Sequence, residues 1–174
     1  MKKKKYGAGF RPYNTSYVNR TILKANKGET IIGSYAFNKQ VKYPFPYKKT
    51  PHTDIDMKHP QPRRAARRIE QSLDKYAGCD NYYVEPLRHD TGITYRVKDR
   101  SQGGKTVADV SKLDKRIPTI TIDGEKYETL GHRRKEINKM LRDPNAEYRR
   151  QKDLRMKGYI NRYDKQIRKR RRFS

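Results

Sequence analysis

The decapeptide IIGSYAFNKQ, residues 31–40, is followed fourteen residues later by DIDM, residues 54–57. Ile31 and Ile32 come just after Gly28, a chain-breaking residue, and read as a short strand over Thr30 to Ile32. Gly33-Ser34 ends that strand with small residues whose exposed backbone N–H groups can cradle an anion. YAFNKQV then reads as one or two helical turns. VKYPFPYKKTPH reads as a loop, because Pro44, Pro46 and Pro51 forbid a regular ladder or helix. Thr53 to Met57 resumes as a strand, in which Ile55 and Met57 face one way and Asp54 and Asp56 the other. Two carboxylates so placed sit about 6–7 Å apart at their backbones, close enough to hold one or two divalent cations. An ordinary surface strand would show the same alternation, so the pair gains meaning from its company. Asp109 lies in the apolar run Val107-Ala108-Asp109-Val110, and a carboxylate in such a setting is costly unless paired or metal-bound.

The surrounding chain alternates helices and strands. Residues 10–27 show no clear periodicity. HPQPRRAARRIEQSLDKYAG is the clearest helix, with Pro62 in the permissive first turn, Ala65, Ala66, Ile69, Leu73 and Tyr76 on one stripe, and Gly78 as the stop. Its other face carries Arg63, Arg64, Arg67 and Arg68, which is either a solvated face or a phosphate-gripping patch. NYYVEP, ITYRV and TVADV read as three strands, and PTITIDGEKYETL as a hairpin turning at Asp123-Gly124. Thr129 is a good N-cap for a helix over LGHRRKEINKMLRD, broken at Asp143-Pro144. A last helix starts near Ala146, with Met156, Ile160, Tyr163 and Ile167 on one side. The expectation is an α+β fold: a small mixed β-sheet flanked by helices, spanning residues 29–145. A basic N-terminal arm precedes it (1–28), and a C-terminal helix with a basic tail follows (146–174).

Composition narrows the partners. Of 174 residues, 32% are hydrophobic and 36% charged, so one modest core is expected. Lys and Arg outnumber Asp and Glu by 44 to 19, a net charge of +25, which points to a polyanion. The charge sits at the ends: residues 1–50 hold 12 basic and 1 acidic side chains, 133–174 hold 17 and 5, and the middle 15 and 13. Arg168, Lys169, Arg170, Arg171 and Arg172 form a terminal block suited to nucleic acid, or to a merely solvated tail. Tyr6, Tyr13, Tyr17, Tyr43 and Tyr47 interleave with Lys and Arg, where they could stack on bases or cover a core edge. No run resembles a membrane helix or a signal peptide, so a soluble, cytoplasmic protein is expected, or a virion one if the source is viral. Cys79, the single cysteine, reads as a small buried side chain, and His52, His59, His89 and His132 as surface residues.

Ile32-Gly33-Ser34, Asp54-Ile55-Asp56-Met57 and Ala108-Asp109-Val110 together resemble the signature of the DNA polymerase β-like nucleotidyltransferase superfamily. The likeness spans roughly residues 30–155. Ile122 to Tyr127 followed by a helix is similar to the hairpin and helix after the third carboxylate in small members. Arg149-Arg150-Gln151-Lys152-Asp153-Leu154 looks like their Arg-x-x-Lys-Asp segment. One departure is the spacing: about twenty residues separate Ser34 from Asp54, longer than the family's usual interval.

The resemblance implies a nucleotidyltransferase fold and a mechanism with assignable parts. Asp54 and Asp56 would hold two Mg²⁺ ions (Mn²⁺ as the alternative), and Asp109 would ligate one and help deprotonate the attacking hydroxyl. Gly33 and Ser34 would bind the β- and γ-phosphates of an NTP, and Lys152 would reach the triphosphate or balance an acid. Arg149 and Arg150 are assigned to a partner's phosphates. The charge favours nucleic acid, RNA before DNA, as acceptor. The alternative is a nucleic-acid-binding structural component of a ribonucleoprotein or virion, in contact with other chains of the particle, its site idle.

Overall fold

The computed structural model describes residues 14–26, 28–41, 54–90 and 92–171. Tyr6, Tyr13, Tyr43, Tyr47, His52, Arg172 and most of the proline-rich loop lie outside the described residues. Strands β1 (Thr30–Ile32), β2 (Ile55–His59), β3 (Tyr82–His89), β4 (Gly92–Asp99), β5 (Lys105–Lys112), β6 (Thr119–Ile122) and β7 (Glu125–Glu128) form one seven-stranded mixed sheet in the order β3-β4-β5-β2-β1-β7-β6. β1 runs antiparallel to β2 and parallel to β7, and β2 runs parallel to β5. Helices α1 (Thr15–Asn26), α2 (Gly33–Gln40), α3 (Pro62–Ala77), α4 (Leu130–Met140) and α5 (Arg150–Arg171) flank it, with a 3₁₀ turn over Pro144–Arg149 leading into α5. This is the α+β architecture expected.

Alternation on the strands decides which face is core. Ile31, Ile55, Met57, Val97, Ala108, Val110 and Tyr127 are buried on one side, beneath Val18 and Ile22 of α1 and Ala65, Ala66, Ile69 and Leu73 of α3. On the carboxylate side α2, α4 and α5 build a smaller cluster from Phe37, Val41, Ile137, Met156 and Ile160. Ala65, Ala66, Ile69 and Leu73 of the stripe predicted for α3 are buried, while Tyr76 is only half-buried and Ala77 completes the stripe instead. Gly78 closes the helix at φ 76, its N–H bonded to Asp74 O at 2.9 Å, a left-handed conformation that favours glycine. The buried Asp74 carboxylate then accepts from the N–H groups of Asn81 (3.0 Å) and Tyr82 (2.8 Å), fastening the helix end to β3. Asp123 and Gly124, at φ 52 and 80, make the β6–β7 turn with the positive φ values that a two-residue hairpin requires. The Thr129 hydroxyl accepts from His132 N–H at 3.2 Å and caps α4 as expected.

Three expectations need correction. α1 falls within the stretch read as unpatterned. Its stripe is only Val18, Ile22 and Ala25, too narrow to stand out, yet it packs in the main core, and the Asn14 side chain caps it by accepting from Ser16 and Tyr17 N–H. His59 is buried rather than exposed: Nε2 lies 2.8 Å from Glu29, and Nδ1 accepts from Gln61 N–H at 2.7 Å. Cys79 is half-buried at the core edge rather than enclosed.

Leu73 is fully enclosed, so Leu73→Ala is expected to lower unfolding free energy by about 2–5 kcal/mol, measured by urea denaturation. An unchanged midpoint would show that α3 does not seal this core.

Candidate active site

Parallel pairing of β2 and β5 sets Asp56 directly beside Asp109. Residues opposed on neighbouring strands point to the same face, and Asp54, two positions before Asp56, joins them. One carboxylate oxygen from each of Asp54, Asp56 and Asp109 lies within 4.8 Å of the others. The next strand adds a counter-charge. Arg96 is the register partner of Asp109 on β4, and its Nε sits 3.6 Å from Asp109 Oδ1. That is too long for a hydrogen bond, and Asp109 Oδ1 is buried with no donor.

Crowding carboxylates in a half-buried place disfavours their charged forms. Asp56 is pushed up to about 7, first by burial and then by Asp54 and Asp109, against the pull of Lys152 and Arg133. Asp109 is pushed up to about 6, again first by burial, with Arg96 opposing and Asp54 adding to the rise.

Gly33 opens α2 directly over this cluster. Its φ is 73, and a Cβ there would overlap Asp56 Oδ2, so only glycine lets the helix start approach the carboxylate. The Gly33 N–H is not free: it donates to Glu128 Oε1 at 2.6 Å. Glu128, at the end of β7, is enclosed. Its other oxygen lies 3.1 Å from His132 Nδ1, and its carbonyl accepts from Gln40 Nε2 at 2.8 Å. Through its carboxylate and its backbone carbonyl, Glu128 thereby ties β7, both ends of α2 and the start of α4 together.

Ile32, Gly33, Ser34, Asp56, Arg133, Tyr148, Arg149 and Lys152 line a cleft of about 380 Å³. Lys152 is exposed at its rim. Arg149 turns back on the buried Asp153, with Nε and Nη2 donating at 2.8 and 3.2 Å, so it forms cleft wall. Arg150 points to solvent beside Glu147 at 3.5 Å. Arg63, Arg64 and Arg67 are exposed on the first turns of α3, beyond the end of β2 away from Asp54 and Asp56, and do not line the cleft. Arg68 differs: its Nε donates to Ala25 O at 2.7 Å and joins α3 to α1. Arg168 and Lys169 are exposed on α5, and Arg170 and Arg171 occupy its last turn. Arg96, Glu128, Arg133 and Tyr148 were not singled out from sequence. Each reaches the site through long-range pairing, and no local pattern marks it.

Neither a family model nor a curated protein matches the chain. Its structure does match the crystal structure of the Megavirus polyadenylate synthase, with a TM-score of 0.67 and 19% sequence identity over 86% of this chain. The match takes in 30% of that longer chain. The shared fold is of the nucleotidyltransferase type.

For a carboxyl with a raised folded-state pKa, the stability it contributes is complete below the unfolded value near 4 and is lost as pH climbs through 6 to 7. The metal-free protein is therefore expected to lose roughly 2 kcal/mol, about 4–8 °C in Tm, between pH 5 and pH 8. Mn²⁺ should restore most of it at pH 8 and little at pH 5. Asp56→Asn should flatten the pH profile and abolish the Mn²⁺ increment, read by thermal denaturation. Gly33→Ala should destabilise by about 1–3 kcal/mol through its left-handed backbone and displace Asp56. An unaltered Mn²⁺ affinity in that variant would contradict the contact.

Proposed function

We propose that the protein is a metal-dependent nucleotidyltransferase that moves a nucleoside monophosphate from an NTP to a nucleic-acid acceptor, RNA before DNA. The observation that carries this reading is the convergence of Asp54, Asp56 and Asp109 under the Gly33-Ser34 start of α2, faced by Arg133 and Lys152. The donor set fits a divalent cation. It is all oxygen, it includes the donorless Asp109 Oδ1, and burial with neighbouring carboxylates raises the pKa values of Asp56 and Asp109, a cost that a bound cation would offset. Such donors suit a hard ion, Mg²⁺ or Mn²⁺, held by Asp54, Asp56 and Asp109. Bound there, the metal would supply positive charge to the reacting phosphate and acidify the acceptor hydroxyl.

The chain's own groups do the remainder. Asp109, whose carboxyl is pushed up to about 6, takes the proton of the acceptor hydroxyl. The hydroxyl oxygen bonds to the α-phosphorus while the bond from that phosphorus to the β-phosphate bridging oxygen breaks, and pyrophosphate leaves. Ser34 donates its hydroxyl to a phosphate oxygen, and the missing side chain of Gly33 leaves room for the triphosphate. Lys152 and Arg133 balance the charge that gathers on the leaving pyrophosphate. Arg149, held by Asp153, keeps the far wall of the cleft in place for positioning. That a polyadenylate synthase has this fold agrees with an NTP donor and a nucleic-acid acceptor.

A second reading is favoured by the net charge of +25 and the exposed cations of α5: a polyanion-binding component of a large particle whose site is idle. Incubation with each labelled NTP, Mn²⁺ or Mg²⁺ and total RNA separates the two. Transfer is expected for the wild type, with a loss of at least about 100-fold in Asp54→Ala. Absence of transfer, with RNA binding that Asp54→Ala leaves unchanged, would establish the second reading instead.

A further inference from the structure

A larger depression of about 740 Å³ neighbours the cleft beside Gly33. One side is formed by the far ends of β2 and β5 and the turn between β3 and β4, with Lys58, Ser111 and His89; the other is the 3₁₀ turn before α5, with Asn145 and Tyr148. Tyr148 borders both spaces. A third depression, about 430 Å³, lies against the first turns of α3 and is lined by Arg63, Arg64 and Arg67. It shares Pro62 and Tyr95 with the large one. The large depression thus shares lining residues with each of the other two, which lays out a path from Asp56 and Lys152, past Tyr148, to Tyr95 and the arginines.

The chemistry changes along this path. The middle is polar and near charge balance: Lys58 and Lys112 stand with Asp90, Asp114 and Asp143 around it, Lys112 is paired with Asp114 at 3.4 Å, and Asp143 accepts from Asn145 N–H at 2.9 Å. Thr94, Ser111 and Asn145 offer hydrogen-bond donors and acceptors there. The α3 end is cationic: neither Arg63 nor Arg64 has a carboxylate partner among the described residues, whereas Arg67 Nη1 donates to both oxygens of the buried Glu70 at 2.9 and 3.0 Å. Tyr148, 89% exposed, stands between the cleft and the large depression with its ring open to stack. Cations spaced from aromatic rings and neutral polar groups match a polymer that carries phosphates and unpaired bases together.

We propose that this trough seats a single-stranded polynucleotide acceptor. Its 3′ end reaches the carboxylates, its terminal bases lie in the large depression beside Tyr148, and phosphates farther back rest on Arg63 and Arg64. The placing of the 3′ end rests on the transferase reading; the seating of the strand on α3 is tested without it.

Fluorescence anisotropy of a labelled single-stranded RNA oligomer with the full chain, in EDTA and over a salt series, supplies that test. Arg63→Gln/Arg64→Gln removes two exposed cations without stranding a buried partner. It should weaken binding at least about tenfold and reduce the slope of log affinity against log salt by about 1 to 2. Lys75→Gln/Lys126→Gln, which removes the same charge from exposed sites on the C-terminal part of α3 and on β7, should change affinity by no more than about twofold. Tyr148→Ala should weaken binding severalfold, and Tyr148→Phe should restore it. Equal losses in the two double variants would overturn the trough in favour of diffuse attraction. Transfer to the oligomer with an unchanged KM in Arg63→Gln/Arg64→Gln would also overturn it, while leaving the transfer site standing. No transfer from any NTP, alongside a binding loss confined to the α3 variant, would remove the transferase reading and support the trough as a binding surface.

Discussion

The side-by-side placement of Asp56 and Asp109 by the β2–β5 pairing is the constraint on which the rest depends. Backbone hydrogen bonds and the apolar residues behind them, Ile55, Met57, Ala108 and Val110, force two carboxylates to adjacent points on one face. The core on one side of the sheet thus supplies the work of holding like charges together on the other. A one-residue slip would bury both acids and expose the core side chains, so the stability of the fold and the geometry of the site share one register. Arg96, Arg133 and Lys152 moderate the repulsion but do not cancel it, which is what a cation-binding cluster needs.

Around that pair the structure places rigid supports. Glu128 fixes the Gly33 turn, Asp153 fixes Arg149, and Thr129 fixes the start of α4. Each support is local in space and distant from the carboxylates in sequence. The cleft wall formed by Arg133, Arg149 and Lys152 comes from helices that pack through their own small apolar cluster. Substitutions in that cluster should therefore be felt in the position of the cations before they are felt in the sheet.

What could be read from sequence follows from the range of the signal. β2, α3 and the β6–β7 hairpin carry their evidence within a few residues: strict alternation at 54–57, a broad apolar stripe ending in Gly78, and a turn at Asp123-Gly124. The three acids were legible because strand alternation and an apolar neighbourhood made each one conspicuous. α1 was not, because three apolar contacts on a polar helix acquire meaning only against α3. Arg149 was read as reaching outward, whereas Asp153 one helical turn away draws it inward. Glu128 carries no local mark in the sequence. Its burial depends on β7 lying parallel to β1, and no short stretch of sequence announces that pairing.

That pairing is also the narrowest seam in the sheet. β1 is three residues long, and its register with β7 comprises only Thr30 with Lys126 and Ile31 with Tyr127. A sub-global opening there would part the β6–β7 hairpin from the remaining strands and withdraw Glu128 from Gly33 in the same motion. Protection of the β7 amides against hydrogen exchange would then report the integrity of the cleft as well as that of the sheet edge.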